Sequence, residues 1–162
     1  MTEKTLNDLF YDTLKDIYYA ERQILKTLPR MAKAAKSEEL KDAFLTHRDQ
    51  TEEHVTRLQE VFEILGKRAQ GKTCEAIKGI LEEGEEIAED YAGSDALDAG
   101  LLAGGQAVEH YEISRYGTLR TWASQLGMKD AVSLLEQTLE EEKKTDALLS
   151  QLAESSVNAH AA

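Results

Sequence analysis

The chain has 162 residues with a single proline, a single cysteine and a formal net charge of −12. That length suffices for one domain with a real core, and the negative charge argues against nucleic acid and anionic membranes, which require a basic face. Cys74 stands alone, so no intrachain disulfide is available and a reducing compartment is the natural setting.

Ala, Leu, Glu, Lys and Gln dominate, a helix-favouring composition without alternating strand patterns. The first residues, MTEKTLNDLF, lack the basic region and apolar run of a secretory leader. No apolar stretch approaches the roughly 20 residues of a membrane span. The expectation is a cytoplasmic, all-α protein with one domain over residues 1–162.

Five helices are predicted in chain order. The first, about 4–36, carries the stripe Leu6, Leu9, Thr13, Ile17, Glu21, Ile24 and Leu28. Thr5 or Thr2 can cap it, and Pro29 should kink it because proline lacks the N–H and crowds the preceding turn. The second, about 37–65, opens at Ser37, carries Leu40, Phe44, His47, Thr51, His54, Leu58 and Phe62 inward, and stops at Gly66. After a polar loop, a short acidic helix covers about 74–91. The fourth, about 94–126 with Ser94 as N-cap, carries Leu101, Gly105, Val108, Glu109, Glu112, Tyr116 and Leu119 and stops at Gly127. The fifth, about 128–155, carries Val132, Leu135, Leu139, Glu142, Asp146, Leu149 and Leu152, and the small polar tail SSVNAHAA should fray.

Short turns make antiparallel neighbours of the first two long helices and of the last two. A short helix of about 18 residues spans about 27 Å, enough to cross the length of a bundle, so the second and third long helices can run parallel. Two antiparallel hairpins joined by such a crossover give the connection of a ferritin-like four-helix bundle.

Charged residues inside these apolar stripes are the informative feature, because an ionised carboxylate in a bundle core is very costly unless paired or bound to a metal. Glu21 lies about 15 residues before the first turn, which sets residues 51–53 opposite it, within a turn of Gln50, Thr51 and His54. Glu109 and Glu112 lie about 18 and 15 residues before Gly127, which sets residues 142–145 opposite, beside Glu142 and Asp146. A weak repeat aligns His47–His54 with Leu139–Asp146, so that Gln50 matches Glu142 and His54 matches Asp146. Oxygen and imidazole donors at one depth suit iron or manganese, and two carboxylate-rich hairpins suit two ions.

Each candidate has a plainer reading. Glu21 near Arg22 and Lys26 would be unremarkable on a surface, and the run Glu140–Glu142 alone reads as a solvated face. Only the register with Leu135, Leu139 and Leu149 turns Glu142 inward. Asp146 could pair with a lysine, and His54 could be an ordinary core histidine. His47 lies two turns from His54, about 10 Å along the axis, which suggests a partner for a buried carboxylate rather than a shared ligand. His110 shares neither face. Tyr18, Tyr19, Tyr111 and Tyr116 read first as packing, with redox relay as the sharper alternative.

Four segments carry a resemblance over about residues 4–155: Asp16 to Ile24, His47 to Thr51, Val108 to Gly117, with its block Glu-His-Tyr-Glu, and Thr138 to Asp146, with its block Glu-Glu-Glu-Lys-Lys-Thr-Asp. The sequence resembles the small bacterial ferritin-like stress proteins of the YciF/YciE type. The resemblance implies a rubrerythrin-like di-iron fold, a homodimer, and a cage of Glu21, Glu109, Glu112, Glu142 and Asp146. Two features depart from the pattern: Gln50 stands where relatives tend to carry a carboxylate, and Thr51 stands at the first position of the common Glu-x-x-His. Gln50 is a weaker, neutral donor for which His54 compensates, so the poorer metal position is expected in the first hairpin.

The expected function is that of a di-iron carboxylate protein, with manganese or a mixed pair as variants, reacting with oxygen or peroxide as an oxidase- or peroxidase-type oxidoreductase. No residue is assigned a catalytic role. A reading from another class is a non-catalytic, stress-induced dimeric interaction protein whose metal site is structural or vestigial. Gly104-Gly105 fits close helix approach at an interface, or room for the bridging side chains.

Overall fold

The computed structural model describes residues 2–162, and among them it contains helices and no strand. Four long helices and one short one follow each other: α1 (Leu6–Ala34), α2 (Glu38–Ile64), α3 (Glu75–Asp90), α4 (Leu97–Gln125) and α5 (Lys129–Leu152). A π-helical turn at Ala153–Val157 leads into the short α6 (Asn158–Ala161).

Local chemistry sets the ends of the helices. Thr5 and Asp8 form a capping box at α1: the Asp8 N–H donates to Thr5 Oγ1 (3.3 Å) and the Thr5 N–H to Asp8 Oδ2 (2.8 Å). Ser37 caps α2 through the Leu40 N–H, and Asp98 accepts from the backbone of Lys36 and Ser37 at 2.8 and 2.7 Å, tying the first turn to α4. α1 runs unbroken through Pro29, whose exposed position lets the ring face solvent. Gly127 closes α4 at φ +77°, with the Met128 N–H reaching back to the Ala123 carbonyl at 2.9 Å. This left-handed turn is one that glycine adopts without a Cβ penalty.

Two expectations about helix ends change. Ser94 does not cap α4; its hydroxyl accepts from the Ala96 N–H and the helix begins three residues later, at Leu97. The tail does not fray: Ala153 and Val157 are buried, and the widened π turn brings both onto the bundle.

Cross-helix pairs give the directions. Tyr18 meets Gln59 and Phe62 while Glu21 meets His54, so α1 and α2 are antiparallel. Arg120 meets Glu136 while Gln106 meets Ser150, so α4 and α5 are antiparallel. Arg57 meets Glu141 while Gln50 meets Thr145, so α2 and α5 are antiparallel as well. α2 and α4 therefore run parallel, connected by α3, whose 16 residues cover about 24 Å. No helix among the described residues is long and apolar enough to cross a membrane.

Apolar layers fill both ends of the bundle, with Phe10, Leu14, Phe62, Leu119 and Leu135 toward one end and Leu28, Leu40, Phe44, Leu101 and Leu149 toward the other. Between them the stripes place charged residues at mid-depth. Two glycines test the backbone reading with opposite signs. Gly79→Ala, in α3 with open space around the added methyl, should stabilise the fold by up to about 1 kcal/mol. Gly127→Ala should destabilise it by about 1–2 kcal/mol by placing a Cβ in the left-handed region. Chemical denaturation of both variants against the parent chain measures the two shifts.

Candidate metal centre

All four long helices send polar side chains to the same depth. α1 contributes Glu21 from between Ile17 and Ile24, α2 contributes His47 and His54 either side of Thr51, α4 contributes Glu109 and Glu112, and α5 contributes Glu142. Each is at most 4% exposed. Helical spacing explains the alignment, since positions three or four apart share a face, and here each such position falls inside an otherwise apolar stripe.

The donor atoms fall into two overlapping groups. His47, Glu109, Glu112 and Glu142 bring one donor atom each within 4.8 Å of one another, and Glu21, His54 and Glu142 do the same. Glu142 belongs to both. Its Oε1 lies 2.8 Å from His54 Nδ1 and its Oε2 lies 4.0 Å from His47 Nε2. His47 Nε2 is 2.6 Å from Glu109 Oε1, and His54 Nδ1 is 3.4 Å from Glu21 Oε2. One carboxylate thus spans the two groups in the manner of a bridge.

These short approaches are not aligned hydrogen bonds. Both oxygens of Glu21, Glu112 and Glu142, Glu109 Oε2, both nitrogens of His47 and His54, and the Tyr116 hydroxyl are buried without a hydrogen-bond partner. Every such orphaned buried side-chain atom among the described residues belongs to this one cluster. Buried polar atoms are normally satisfied, and leaving them unpaired costs free energy. Lone pairs converging without donors are what a cation requires, so the residues present fit a metal. No ion identity follows from the donor set alone.

Electrostatics within the cluster follow from burial. Burial, reinforced by the neighbouring Glu142, pushes Glu109 up to about 12. Glu112 is raised well above the usual carboxylate range, first by burial and then by the charges of Glu142 and Glu21. For Glu142 burial acts upward but is outweighed by the close approach of Glu112, Glu109 and His54, which holds it below the usual carboxylate range. Burial would lower His54, yet Glu142 and Glu21 outweigh it and push the imidazole up to about 10. Tyr116 is also raised, by burial and by the carboxylates around it.

A carboxylate stands beyond the outer face of His54, outside hydrogen-bond distance. Glu141 Oε2 lies 3.9 Å from His54 Nε2, opposite the cluster side of the ring. Arg57 holds that carboxylate in a two-pronged pair at 2.5 and 3.2 Å and also donates to Thr138. A carboxylate behind a histidine ligand orients the ring and raises its basicity.

Several placements differ from those expected. Asp146 stands apart from both donor groups, accepting from Gln106 and facing the exposed His110 at 3.1 Å. The inward stripe of α5 passes through Thr145, which leaves position 146 on the flank toward α4. Gln50 also lies at the edge, its Oε1 accepting from Thr145 Oγ1. His47 is drawn into the cluster. Its ring centroid is 6.1 Å from that of His54, because the two rings tilt toward each other across the two turns between them. Tyr116, which reads as packing from sequence, presents its unpaired hydroxyl here and its ring lies 6.3 Å from that of His54. The Arg57–Glu141 pair carried no sequence signal beyond a position three residues after His54 and another inside an acidic run.

Known proteins give this arrangement a family. The sequence family described as "Domain of unknown function (DUF892)" matches residues 5–162. Protein YciF of Escherichia coli (strain K12) is 42% identical over 159 residues, covering 98% of this chain and 96% of its own. The solved structure of the E. coli stress protein YciF superposes with a TM-score of 0.91 at 41% identity, over 96% of this chain and 99% of that one. YcfI of Rhodopseudomonas palustris superposes with a TM-score of 0.88 at 44% identity, over 91% of this chain and 94% of that one. With matches of this extent in sequence and in fold, the chain belongs to the DUF892 family, among whose similar proteins is the stress protein YciF.

Proposed function

We propose that this protein is a ferritin-like dinuclear metal-carboxylate protein of the bacterial stress response, holding two iron ions (or manganese, or one of each) and reacting with oxygen or peroxide. The observation that carries the reading is Glu142, with one oxygen in each of two donor groups. Charge supports it. Four carboxylates meet in this core, Glu21, Glu109, Glu112 and Glu142, and two divalent cations balance them, which removes the cost of burying them ionised. Oxygen and imidazole donors suit iron and manganese. Held by these residues, a pair of reduced iron ions would supply two electrons, one each, for reduction of dioxygen or peroxide. The protein's own part is to bind and to exclude water: Ile17, Leu58, Leu139 and Val108 wall the site, and the Arg57–Glu141 pair orients His54.

The reading extends to a cytoplasmic homodimer. The free, buried Cys74 suits a reducing compartment. Electrons that restore the metals come from outside the chain, since a lone cysteine forms no four-cysteine iron module.

A second reading, a stress-induced interaction protein with a structural or vestigial metal site, draws on one observation. Thr51 is buried between His47 and His54 and spends its hydroxyl on the His47 carbonyl at 2.7 Å, so α2 presents no carboxylate to the cluster. Metal analysis separates the readings. Protein purified from iron-supplemented medium should carry about two iron ions per chain, one per donor group, with a near-ultraviolet absorbance that bleaches on reduction. Finding no metal, or scattered zinc, would sink the oxidant-reactive reading.

Site variants should lose metal in a pattern. Glu142→Ala should abolish binding at both positions, whereas Glu141→Gln, behind His54, should weaken affinity by about 10–100-fold. Isothermal titration with Fe(II) under anaerobic conditions reads both.

The pH dependence should reverse on metal binding. In metal-free protein Glu109 and His54 keep protons in the fold, up to about pH 12 and about pH 10 respectively. The unfolded chain releases them near 4.5 and 6.5. The folded state therefore binds more protons, and stability should fall as pH rises from 7 to 9. Metal ligands must be deprotonated, so metal affinity should rise over the same interval. Denaturation midpoints at pH 7 and 9, with and without metal, measure both trends.

A further inference from the structure

The ligand candidates are sealed from solvent, so any reactant must cross a wall of side chains. Two cavities lie on either side of one residue of that wall. A groove of about 220 Å³ opens between α1, α3 and α4; the exposed Arg30, Glu85 and Glu89 flank its mouth, and Leu81, Leu101 and Val108 line it further in, beside Thr27. A second space, of about 10 Å³, is lined by Leu28, Phe44, Gly105, Val108 and Leu149, and on its inner side by His47 and Glu109. Val108 lines both, and it is 5% exposed.

The adjacent glycines of α4 each serve one cavity. Gly104 lines the groove, where α3 comes close: a Cβ there would lie 3.9 Å from Gly84 Cα. Gly105 keeps the inner space open, since a Cβ there would lie 3.1 Å from Phe44 Cε1 and 3.5 Å from Leu149 Cδ1.

Resting on the metal reading above, we propose that the α4 turn Gly104–Val108 is the entry route to the centre, that it admits a small apolar molecule of the dioxygen class, and that Val108 is its gate. The chemistry of the lining selects the molecule. Water and hydrogen peroxide require hydrogen-bond partners, of which a buried water typically makes about three. The stretch from Leu81 and Leu101 past Val108 to Phe44 offers apolar side chains, while dioxygen needs no partner. The inner space ends on His47 and Glu109, two donors of the four-residue group, so a molecule leaving it arrives at the metal position. Val108 presents two methyls where a larger side chain would close the passage, which makes it a specificity-determining residue.

Dissolved dioxygen is itself a paramagnetic probe and tests the route in metal-free, methyl-labelled protein. Under oxygen pressure, the methyls of the half-buried Leu81 in the groove and of Leu28 and Leu149 in the inner space should relax severalfold faster than those of Leu135, which is as buried as Leu28 and Leu149 but lies at the other end of the bundle. Val108→Phe should remove the enhancement at Leu28 and Leu149 and keep it at Leu81. Gly105→Ala fills the inner space one turn earlier on α4, against Phe44 and Leu149, and should do the same, so the test survives if one variant fails to fold. In iron-loaded protein, Val108→Phe should slow Fe(II) oxidation by dioxygen severalfold at unchanged metal content. Equal relaxation at Leu28, Leu149 and Leu135 in the parent chain overturns the route. So does a Val108→Phe protein with unchanged methyl relaxation and unchanged oxidation rate. Iron-loaded protein inert to dioxygen would instead count against the oxidant reading, while the methyl relaxation still decides the passage.

Discussion

The burial of four carboxylates at one depth of a helical bundle is the constraint around which this protein is organised. Mutual repulsion and lost hydration oppose placing them there. Two things offset that cost in the chain itself: burial shifts Glu109 and Glu112 toward the neutral form, and Glu142 and Glu21 favour the charged form of His54 between them. The arrangement leaves lone pairs unsatisfied on nearly every member of the cluster. A protein interior tolerates such a set when something else completes it, and a cation is the natural complement to converging oxygens and imidazole nitrogens.

The rest of the bundle serves to hold that depth constant. Apolar layers on both sides fix the register of each helix, so that moving one helix by a turn would pull a carboxylate into a leucine layer. The crossover helix α3 lets α2 and α4 run parallel, which puts His47 and Glu109 side by side. The short turns at Ser37 and Gly127 set the lengths against which the depths are measured. The Arg57–Glu141 pair stands behind the imidazole of His54, with Glu141 Oε2 3.9 Å from Nε2. Packing, capping and site geometry therefore depend on one another, and the glycines of α4 add a small space to an otherwise close-packed wall.

Much of the site was legible because helical periodicity converts sequence position into a face. Glu21, His54, Glu109, Glu112 and Glu142 each break an apolar stripe, and all five meet. Asp146 was misplaced by the same rule. It is four residues from Glu142, but the inward line of α5 continues through Thr145, and a helix face of this width does not distinguish neighbours at its edge. His47 meets a buried carboxylate, as its position suggested, and its ring also comes closer to His54 than the backbone spacing implies. Axial rise gives the separation of backbone positions, whereas side-chain tilt brought the rings to 6.1 Å. The group of four donors includes an imidazole from α2, His47, and does not include the α5 carboxylate Asp146.

By itself the sequence determined the helices, their hairpin pairing, the family and the fact that charge sits within the core, since all of these follow from local periodicity, capping chemistry and quoted motifs. Tertiary structure alone decided which atoms converge. The sharing of Glu142 between two groups, the inward turn of His47, the orphaned hydroxyl of Tyr116 and the paired cavities at Val108 depend on side-chain directions across helices far apart in sequence. Periodicity specifies a face and a depth; the angle at which four faces meet is set by packing, and that angle separates a ligand from its neighbour.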